Sequence, residues 1–576
     1  MSVDGMLLRV RALIESYDPP GLSHSPGSSS EFPSQSFLLL MLESLLVLKS
    51  ECESWLPKLV VKEGCKINLD ISVEWPRHMS RSEKRRKTLA DSAMVQTGGF
   101  AMKQLIVAVL FLLLHGTGIG DVSANPYPST YEAPAHSPYV LVSQAIDAGE
   151  GEGWFSGWVR VENNRITAVN KMDVPLPEDI EIRDVGEQFV TPGIIDVHSH
   201  LGDYPAPSYR AHSDGNEATS PVTAEVWAEH SVWPQDPQFP LALAGGVTTL
   251  QILPGSANLF GGRSVTLKNV WSRTVQGMKF PDAPYGLKMA CGENPKRVYG
   301  SKGRSPATRM GNFAGYRKAW IQAREYQRAW QDYEQSLAQY EEKLVAASDE
   351  SADADVGKEP ARAPKPPKRD IQMETLVGAL EGDILVHNHC YRADEMAQII
   401  DLSKEFGYQV TAFHHAVEAY KIGDLLAENN ICSALWADWW RFKLESFDGV
   451  AANVPMVHAA GACAIVHSDS PNGIQRLNQE AAKALAAGRR LGLEISDSEA
   501  ITWLTKNAAY ALGILDQTGT LAPGKMADIV VWTVNPLSVY AQAAQVMVDG
   551  VIHYDRSSSE RPITDFELGH REEVWK

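Results

Sequence analysis

Cysteine is scarce in this sequence of 576 residues, and positive charge is in the minority. The six cysteines form no C-x-x-C pair, which argues against a thiolate zinc knuckle and against a dense disulfide scaffold. We therefore expect isolated, buried thiols. Lysine and arginine number 53 against 71 acidic residues, so the net charge is -18. A chain this acidic lacks the basic face that nucleic-acid binding requires, and we expect no nucleic-acid partner.

The acidic excess belongs to only one part of the chain. Residues 1–101 contain 12 basic and 12 acidic residues, so the whole net charge of -18 arises from residues 102–576. Residues 102–124 have the pattern of a signal peptide, because Lys103 precedes an apolar run over 105–114 and Val122-Ser-Ala124 suits a signal peptidase. The run is too short to span a bilayer as a mature helix. A buried core helix is the alternative.

A signal peptide belongs at the start of a protein. We therefore interpret Met102 as the true start and predict export, to the periplasm or out of the cell. Residues 1–101 are then a non-native or disordered extension. The alternative is a genuine N-terminal extension that anchors the protein to a membrane.

Short strand patterns flank the middle of the chain at both ends. Turn residues separate the predicted strands, which are 139–143, 157–162, 165–169, 181–184, 527–532 and 546–554. We expect these strands to pair into one small sheet domain built from residues 139–190 and 516–555.

The middle of the chain, residues 191–515, alternates apolar strand patterns with helical ones, which indicates βα units and a parallel sheet. Eight strands are predicted, at 193–197, 248–253, 264–268, 287–290, 384–387, 409–413, 431–435 and 464–466. Eight is the number of strands in a closed barrel, and the third pattern is the weakest.

A helical insertion is predicted at residues 305–370. Aromatic and apolar side chains from Phe313 to Leu344 are spaced three and four residues apart, which is typical of a long amphipathic helix. Such a stripe packs either on the barrel or on a second subunit, and we expect a homo-oligomer. The charged, Pro/Ala-rich residues 348–369 are predicted to be a flexible loop.

Histidines at the predicted strand ends indicate a metal site. Alternation along the first strand places His198 and His200 on one face, at the end that opens into the mouth of a barrel. Two imidazoles there can ligate one divalent metal, although a lone H-x-H pair is common by chance. Later strand ends repeat the pattern with His387, His415, His467 and Asp469.

Together with the motif P-G-x-I-D-x-H-S-H and the closing G-T-L-x-P-G-K-x-A-D-I-V-V-W, these residues resemble the amidohydrolase superfamily. The most similar subgroup is that of the imidazolonepropionase-like and prolidase-like metal-dependent hydrolases. The resemblance covers residues 139–555. It implies an α/β fold, with a (β/α)8 TIM-type barrel and a small β-sandwich built from both chain ends.

The resemblance also implies the ligands of one or two divalent ions, expected to be Zn²⁺. The side chains that match metal ligands are His198, His200, His387, His415 and Asp469. Relatives carry a carboxylated lysine or a glutamate at the fourth strand, and here both Lys288 and Glu293 are available. We favour Glu293, because its carboxylate needs no modification. Asp469 is also expected to be the catalytic proton carrier.

These features predict a metal-dependent hydrolase that cleaves an amide-like C–N bond by metal-activated hydroxide. Its substrate would be a small molecule or a short peptide with a peptide, N-acyl or cyclic amide bond. Arg392, Trp436 and Arg441 are the predicted substrate-binding residues at the barrel mouth. A ring deaminase or lactonase on the same site is one alternative. A catalytically silent binding protein is another, and the presence of every matched ligand argues against it.

N-terminal sequencing of natively expressed protein tests the predicted start. We expect the first residue to lie at Met102 or beyond it, and at Asn125 once a signal peptide has been removed. Recovery of peptides from residues 1–101 in the natively expressed protein would contradict this interpretation.

Overall fold

The computed structural model describes residues 125–349, 362–439 and 441–558, with the backbone alone for 345–349. All of them belong to one unit, Thr117–Lys576. The predicted extension and signal peptide lie outside the described residues, as do Cys52 and Cys65. Within the described ranges, no helix is both long enough and apolar enough to cross a membrane.

The strands form two sheets. In chain order the strands are β1 (Tyr139–Ile146), β2 (Phe155–Glu162), β3 (Arg165–Lys171), β4 (Glu181–Asp184), β5 (Phe189–Pro192), β6 (Ile194–Ser199), β7 (Val247–Ile252), β8 (Phe260–Lys268), β9 (Gly286–Ala290), β10 (Leu385–Cys390), β11 (Val410–His415), β12 (Cys432–Leu435), β13 (Ala464–Val466), β14 (Ile529–Trp532), β15 (Ala543–Val548) and β16 (Val551–Asp555).

Strands from both chain ends share the first sheet. Its order is β16-β15-β14-β5-β1-β2-β3, and β4 pairs with β1. The antiparallel ladder between β5 and β14 joins the N-terminal strands to the C-terminal ones. The pairing of the two chain ends therefore agrees with the prediction from the sequence. A sandwich is not confirmed, because all these strands belong to a single hydrogen-bonded sheet.

The predicted strand 546–554 is two strands, not one. β15 and β16 pair antiparallel around Asp549 and Gly550, whose φ angles are 49° and 80°. Positive φ at both central residues is typical of a type I′ turn, for which Asp-Gly is a preferred sequence. The Asp-Gly dipeptide therefore indicates a turn in the middle of the segment that was predicted to be one strand.

The second sheet is a nearly closed barrel with the order β13-β12-β11-β10-β9-β8-β7-β6. Each of its strands overlaps one of the eight predicted strands. The prediction of an entirely parallel sheet is wrong at β8, which runs antiparallel to both β7 and β9. Only residues 253–259 join β7 to β8, and a parallel crossover needs a dozen residues or more.

β6 and β13 are the two edges of this sheet, and hydrogen bonds bridge them instead of strand pairing. At one end, backbone carbonyls of residues 503 and 504 accept hydrogen bonds from both strands, at N···O distances of 3.1 and 2.9 Å. At the other end, the Asp469 N–H donates to the His198 carbonyl at 3.0 Å. The first and last strands of the barrel are therefore linked at the end that carries the predicted metal ligands.

Helices surround the barrel and form the insertion. They span Gln238–Ala244, Glu293–Gly300, Arg309–Asp349, Ile371–Glu381, Ala393–Phe406, Gly423–Glu428, Asn453–Ala459, Leu477–Arg490, Asp497–Thr502 and Lys506–Ala511. The long insertion helix, Arg309–Asp349, agrees with the aromatic stripe in the sequence. Its first turns pack on the barrel, since Tyr316 and Trp320 are buried and Trp320 stacks on Tyr408 at 4.5 Å between ring centroids.

Two disulfides replace the isolated thiols expected from the sequence. Cys291 pairs with Cys390, and Cys432 pairs with Cys463. Each bond joins neighbouring barrel strands or the residues beside them. The prediction of isolated thiols is therefore wrong for these four cysteines. Spacing along the chain could not reveal the pairs, because they are 99 and 31 residues apart and meet only through the barrel.

Alkylation under denaturing, non-reducing conditions tests the disulfides. Cys291, Cys390, Cys432 and Cys463 are expected to resist alkylation until a reductant is added, because a disulfide sulfur has no thiolate to react. Replacing both Cys432 and Cys463 by alanine should lower the free energy of unfolding by about 4 kcal/mol, as expected for a loop of this length. Alkylation of all four residues without reductant would contradict the assignment.

Candidate metal site at the barrel mouth

Four barrel strands bring histidines together at their C-terminal ends. Their inward-facing positions define a histidine cluster made of His198, His200, His387, His389, His414, His415 and His467. All of these side chains are buried except that of His200, which is partly exposed. Alternate residues of a strand share one face, which explains the pairs His198/His200 and His387/His389. His414 and His415 are neighbours, and the φ of 68° at His415 interrupts the alternation there.

The Asp469 carboxylate lies among three of these rings. Its Oδ1 is 3.2 Å from His200 Nε2 and 3.5 Å from His198 Nε2, and its Oδ2 is 3.9 Å from His415 Nδ1. Asp469 and His415 have φ angles of 52° and 68°, a left-handed conformation that is rare for residues other than glycine. Such backbone conformations cluster at functional sites, where they aim a side chain at a required point.

At the histidine cluster, two triads of side chains have ligand atoms within 4.8 Å of one another. One is His198, His200 and Asp469, and the other is His198, His415 and His467. Because the triads share His198, the arrangement offers two adjacent positions for a cation. Three of the predicted ligands, His198, His200 and Asp469, are therefore brought together, and His415 lies next to them.

Of the two histidines on β10, His389 lies nearer to the other predicted ligands. Its ring centroid is 4.6 Å from that of His415. His387 lies deeper in the barrel, where its Nδ1 is 2.9 Å from His414 Nε2 and its Nε2 is 3.4 Å from Gln251 Nε2. The sequence contained the signal for His389, because it lies two residues beyond His387 on the same face and closer to the strand's C-terminal end.

Lys288, not Glu293, reaches the centre of the cluster. The Lys288 Nζ is 3.5 Å from His198 Nε2 and donates to the Pro254 carbonyl at 2.9 Å. Glu293 begins the helix after β9, and its carboxylate is 3.7 Å from the Lys443 ammonium. The two alternatives from the sequence are thus separated: Lys288 is buried among the histidines, and Glu293 lies at the mouth.

The predicted substrate-binding residues lie in different surroundings. The Trp436 ring stacks on His415 at 4.4 Å and on His467 at 5.2 Å, so it forms a wall of the site. Arg392 instead pairs with Asp394 at 2.9 Å. Arg441 is exposed and lies over the ring of Phe447, at 5.5 Å.

Known proteins are similar to this chain in both sequence and structure. The Amidohydrolase family matches residues 331–553. A solved amidohydrolase from Thermotoga maritima MSB8 is 32% identical, with a TM-score of 0.59, over 73% of this chain and 100% of that one. The chain belongs to the amidohydrolase family.

A curated relative gives the same family. It is "Amidohydrolase tasK" from Hapsidospora irregularis, which is 34% identical over 424 residues. The match covers 71% of this chain and 41% of the relative, so the chain spans about two fifths of that relative's length. The family membership predicted from the motifs is confirmed.

Burial keeps the fully buried histidines of the cluster free of positive charge. It lowers the pKa of His387 to about 3 and that of His467 to about 4. Burial also lowers the pKa values of His198, His389 and His415 well below 6.5. The charge of Lys288 acts in the same direction on each of these histidines. These five rings are therefore neutral at pH 7, which is the form that binds metals.

The donors of the cluster fit a divalent metal ion. The Nδ1 atoms of His389 and His467 are buried and have no hydrogen-bond partner among the described residues. A buried polar atom without a partner is costly, and a metal ion can satisfy such an atom. Imidazole nitrogens and a carboxylate are moreover the donors that Zn²⁺ prefers.

Acid denaturation of chelator-treated protein tests the neutral histidines. Below pH 6.5 the unfolded chain binds protons that the folded histidines, with their lowered pKa values, do not bind. The free energy of unfolding should therefore fall as pH falls from about 6.5 towards 4, by roughly 1.4 kcal/mol per pH unit for each such histidine. Urea unfolding at several pH values measures this slope.

A matched variant separates the cluster from the rest of the protein. His414→Gln removes one buried imidazole and should make the loss of stability with falling pH less steep. His230→Gln is the control, because His230 is exposed and should leave the slope unchanged. Equal stability of the unsubstituted protein at pH 7 and pH 5 would contradict the neutral cluster.

Proposed function

We propose that this amidohydrolase is a metal-dependent hydrolase that cleaves an amide-like C–N bond. The observation that carries the proposal is the position of Asp469, whose carboxylate is within 3.9 Å of His198, His200 and His415 at the barrel mouth. A carboxylate among neutral imidazoles can share a cation with them and still exchange a proton with substrate.

The proposed ligands revise the prediction from the sequence at two positions. His198, His200, His415 and Asp469 keep their predicted roles, and His389 takes the place of His387. Lys288 takes the place of Glu293, because its Nζ is beside His198. Burial lowers the pKa of Lys288 to about 8, so a fraction of its amine is neutral near pH 7 and open to carboxylation.

A divalent cation held there would supply a Lewis acid that lowers the pKa of water and polarises a carbonyl oxygen. The Asp469 carboxylate accepts the proton of the attacking water and then delivers it to the leaving nitrogen. Trp436 covers His415 and His467 and limits the access of bulk water. The bond between His200 Nδ1 and the Leu253 carbonyl, at 2.8 Å, leaves Nε2 directed at Asp469.

We further propose that the protein is exported. Four of its cysteines form disulfides, and disulfides persist in oxidising compartments outside the cytosol. The signal-peptide pattern at residues 102–124 supports the same location.

Asp469→Asn tests the proton carrier. The amide cannot accept a proton, so turnover of any hydrolysed dipeptide or N-acyl amino acid should fall at least about a hundredfold. Asp448→Asn is the matched control, because Asp448 is exposed and pairs with Lys421, and it should retain activity. Activity of Asp469→Asn within a few fold of wild type would contradict the role of Asp469.

The two histidines of β10 provide a second test. His389→Gln should lose bound metal, because the proposed ligand is removed, and His387→Gln should retain it. Elemental analysis of the purified variants measures metal per chain. If His387→Gln lost the metal and His389→Gln kept it, the original assignment from the sequence would be correct. Unsubstituted protein that binds no divalent metal would defeat the proposed function itself.

A further inference from the structure

We propose that Lys443 determines substrate specificity by binding a carboxylate of the substrate at the barrel mouth. This inference rests on the proposed function, because it concerns the substrate of the same site. Lys443 lies in the loop after β12 and precedes the short helical turn Leu444–Ser446. No spacing or motif in the sequence distinguishes it from the other cations of the chain.

The first observation is that Lys443 is in contact with a ring that packs on the histidine cluster. Its Nζ lies over the Tyr391 ring, 3.9 Å from the centroid. The Tyr391 ring in turn stacks on His415 at 5.5 Å and meets His389 edge-on at 4.9 Å. One aromatic ring therefore separates the ammonium from two proposed metal ligands. This separation suits a substrate whose carboxylate binds Lys443 while its amide-like bond lies at the metal ligands.

A second series of contacts links Lys443 to one of these ligands, His389. The Lys443 Nζ donates to Asn294 Oδ1 at 3.2 Å, and Asn294 Nδ2 is 3.4 Å from His389 Nε2. Contacts through Tyr391 and contacts through Asn294 therefore both connect the Lys443 ammonium to His389. They define the position of Lys443 relative to the reacting centre.

The ammonium of Lys443 has hydrogen-bonding capacity to spare. Its side chain is only 16% exposed, and an ammonium carries three N–H donors. In the part of the chain that the structure describes, Asn294 is its one hydrogen-bond acceptor. The Glu293 carboxylate is 3.7 Å away, so it forms a long ion pair with the ammonium but accepts no hydrogen bond from it. A shielded cation with free donors is suited to bind an incoming anion.

The arginines predicted for this role are less suitable. Arg392 is already neutralised by Asp394 at 2.9 Å. Arg441 is exposed to solvent and lies over Phe447. Charge in open water contributes little to binding, whereas Lys443 is shielded from water by the aromatic rings around it.

Apolar rings beside Lys443 indicate the rest of the substrate. Trp436 stacks on Trp439 at 5.3 Å and meets Phe442 at 5.9 Å. Trp439 and Phe442 remain 39% and 57% exposed, although they border the site. Trp436 also stacks on His415, so the three rings form one apolar surface beside the site. An apolar side chain next to the substrate carboxylate would pack on this surface. The expected substrate class is an N-acyl amino acid, or a dipeptide with an apolar C-terminal residue.

Matched substrates test the inference by kinetics. N-acetyl-L-phenylalanine and N-acetyl-L-phenylalaninamide share the acetyl C–N bond, but only the first carries a carboxylate. For acetate release by wild-type holoenzyme, kcat/KM should be at least about tenfold higher for the acid. In Lys443→Met the preference should disappear, mainly through a higher KM for the acid.

Arg441→Met is the matched control, because it removes a cation two residues away on the same loop. It should keep the wild-type preference for the acid. Persistence of that preference in Lys443→Met, or a wild-type preference for the amide, would overturn the inference.

A binding measurement separates this inference from the proposed hydrolysis. By calorimetry, wild-type protein should bind 3-phenylpropanoate at least about tenfold more tightly than 3-phenylpropan-1-ol. The difference should vanish in Lys443→Met and should grow in Glu293→Gln, which removes the competing carboxylate. It should also persist after treatment with a chelator, since Lys443 and not the metal binds the anion.

These outcomes have distinct meanings. Unchanged binding of 3-phenylpropanoate by Lys443→Met would overturn the role of Lys443, whatever the enzyme hydrolyses. Selective binding that depends on Lys443, in a protein that hydrolyses no amide, would support the role of Lys443 and count against the proposed function alone.

Discussion

The buried imidazoles at the barrel mouth can pack this closely because they remain uncharged. Rings of His389 and His415 lie 4.6 Å apart, and those of His387 and His414 lie 5.1 Å apart. Protonated rings at such distances, out of water, would repel one another strongly. Burial lowers their pKa values and prevents this, and the nearby charge of Lys288 adds to the effect. The interior thus selects the protonation state in which nitrogen lone pairs are available for a metal.

A buried carboxylate links the first and last strands of the barrel. The Asp196 carboxylate accepts backbone hydrogen bonds from His198 at 3.1 Å and Ser468 at 3.2 Å, and the Ser468 hydroxyl also donates to it. Burial raises the pKa of Asp196 to about 7, so its bonds to both strands compensate for an unfavourable position. By linking β6 to the end of β13, Asp196 places His198 and Asp469 side by side.

On the opposite side of the barrel mouth, the ends of β9 and β10 are also held close together. The disulfide between Cys291 and Cys390 ties the ends of β9 and β10 together. The next residue, Gly292, has a φ of 74°, and a Cβ there would lie 2.6 Å from a carboxylate oxygen of Glu445. The positive φ favours glycine at this position, and the absence of a Cβ leaves room for the Glu445 carboxylate beside the end of β9.

Several features of this protein follow from the sequence alone. Apolar runs of strand length predicted all eight barrel strands, and the spacing of aromatic residues predicted the long helix Arg309–Asp349. The alternation rule placed His198 and His200 at the mouth, and the motifs identified the family. These features are local, because each depends on neighbours along the chain within one strand or one helix.

Other features were decided by the tertiary structure. The direction of β8, the pairing of Cys432 with Cys463 and the position of Lys443 depend on residues that meet only when the barrel closes. The choice between Lys288 and Glu293 is of the same kind, since both follow from one strand and only depth in the barrel separates them. Sequence spacing specifies which face of a strand a side chain occupies, but its distance from side chains of other strands is set by packing across the barrel.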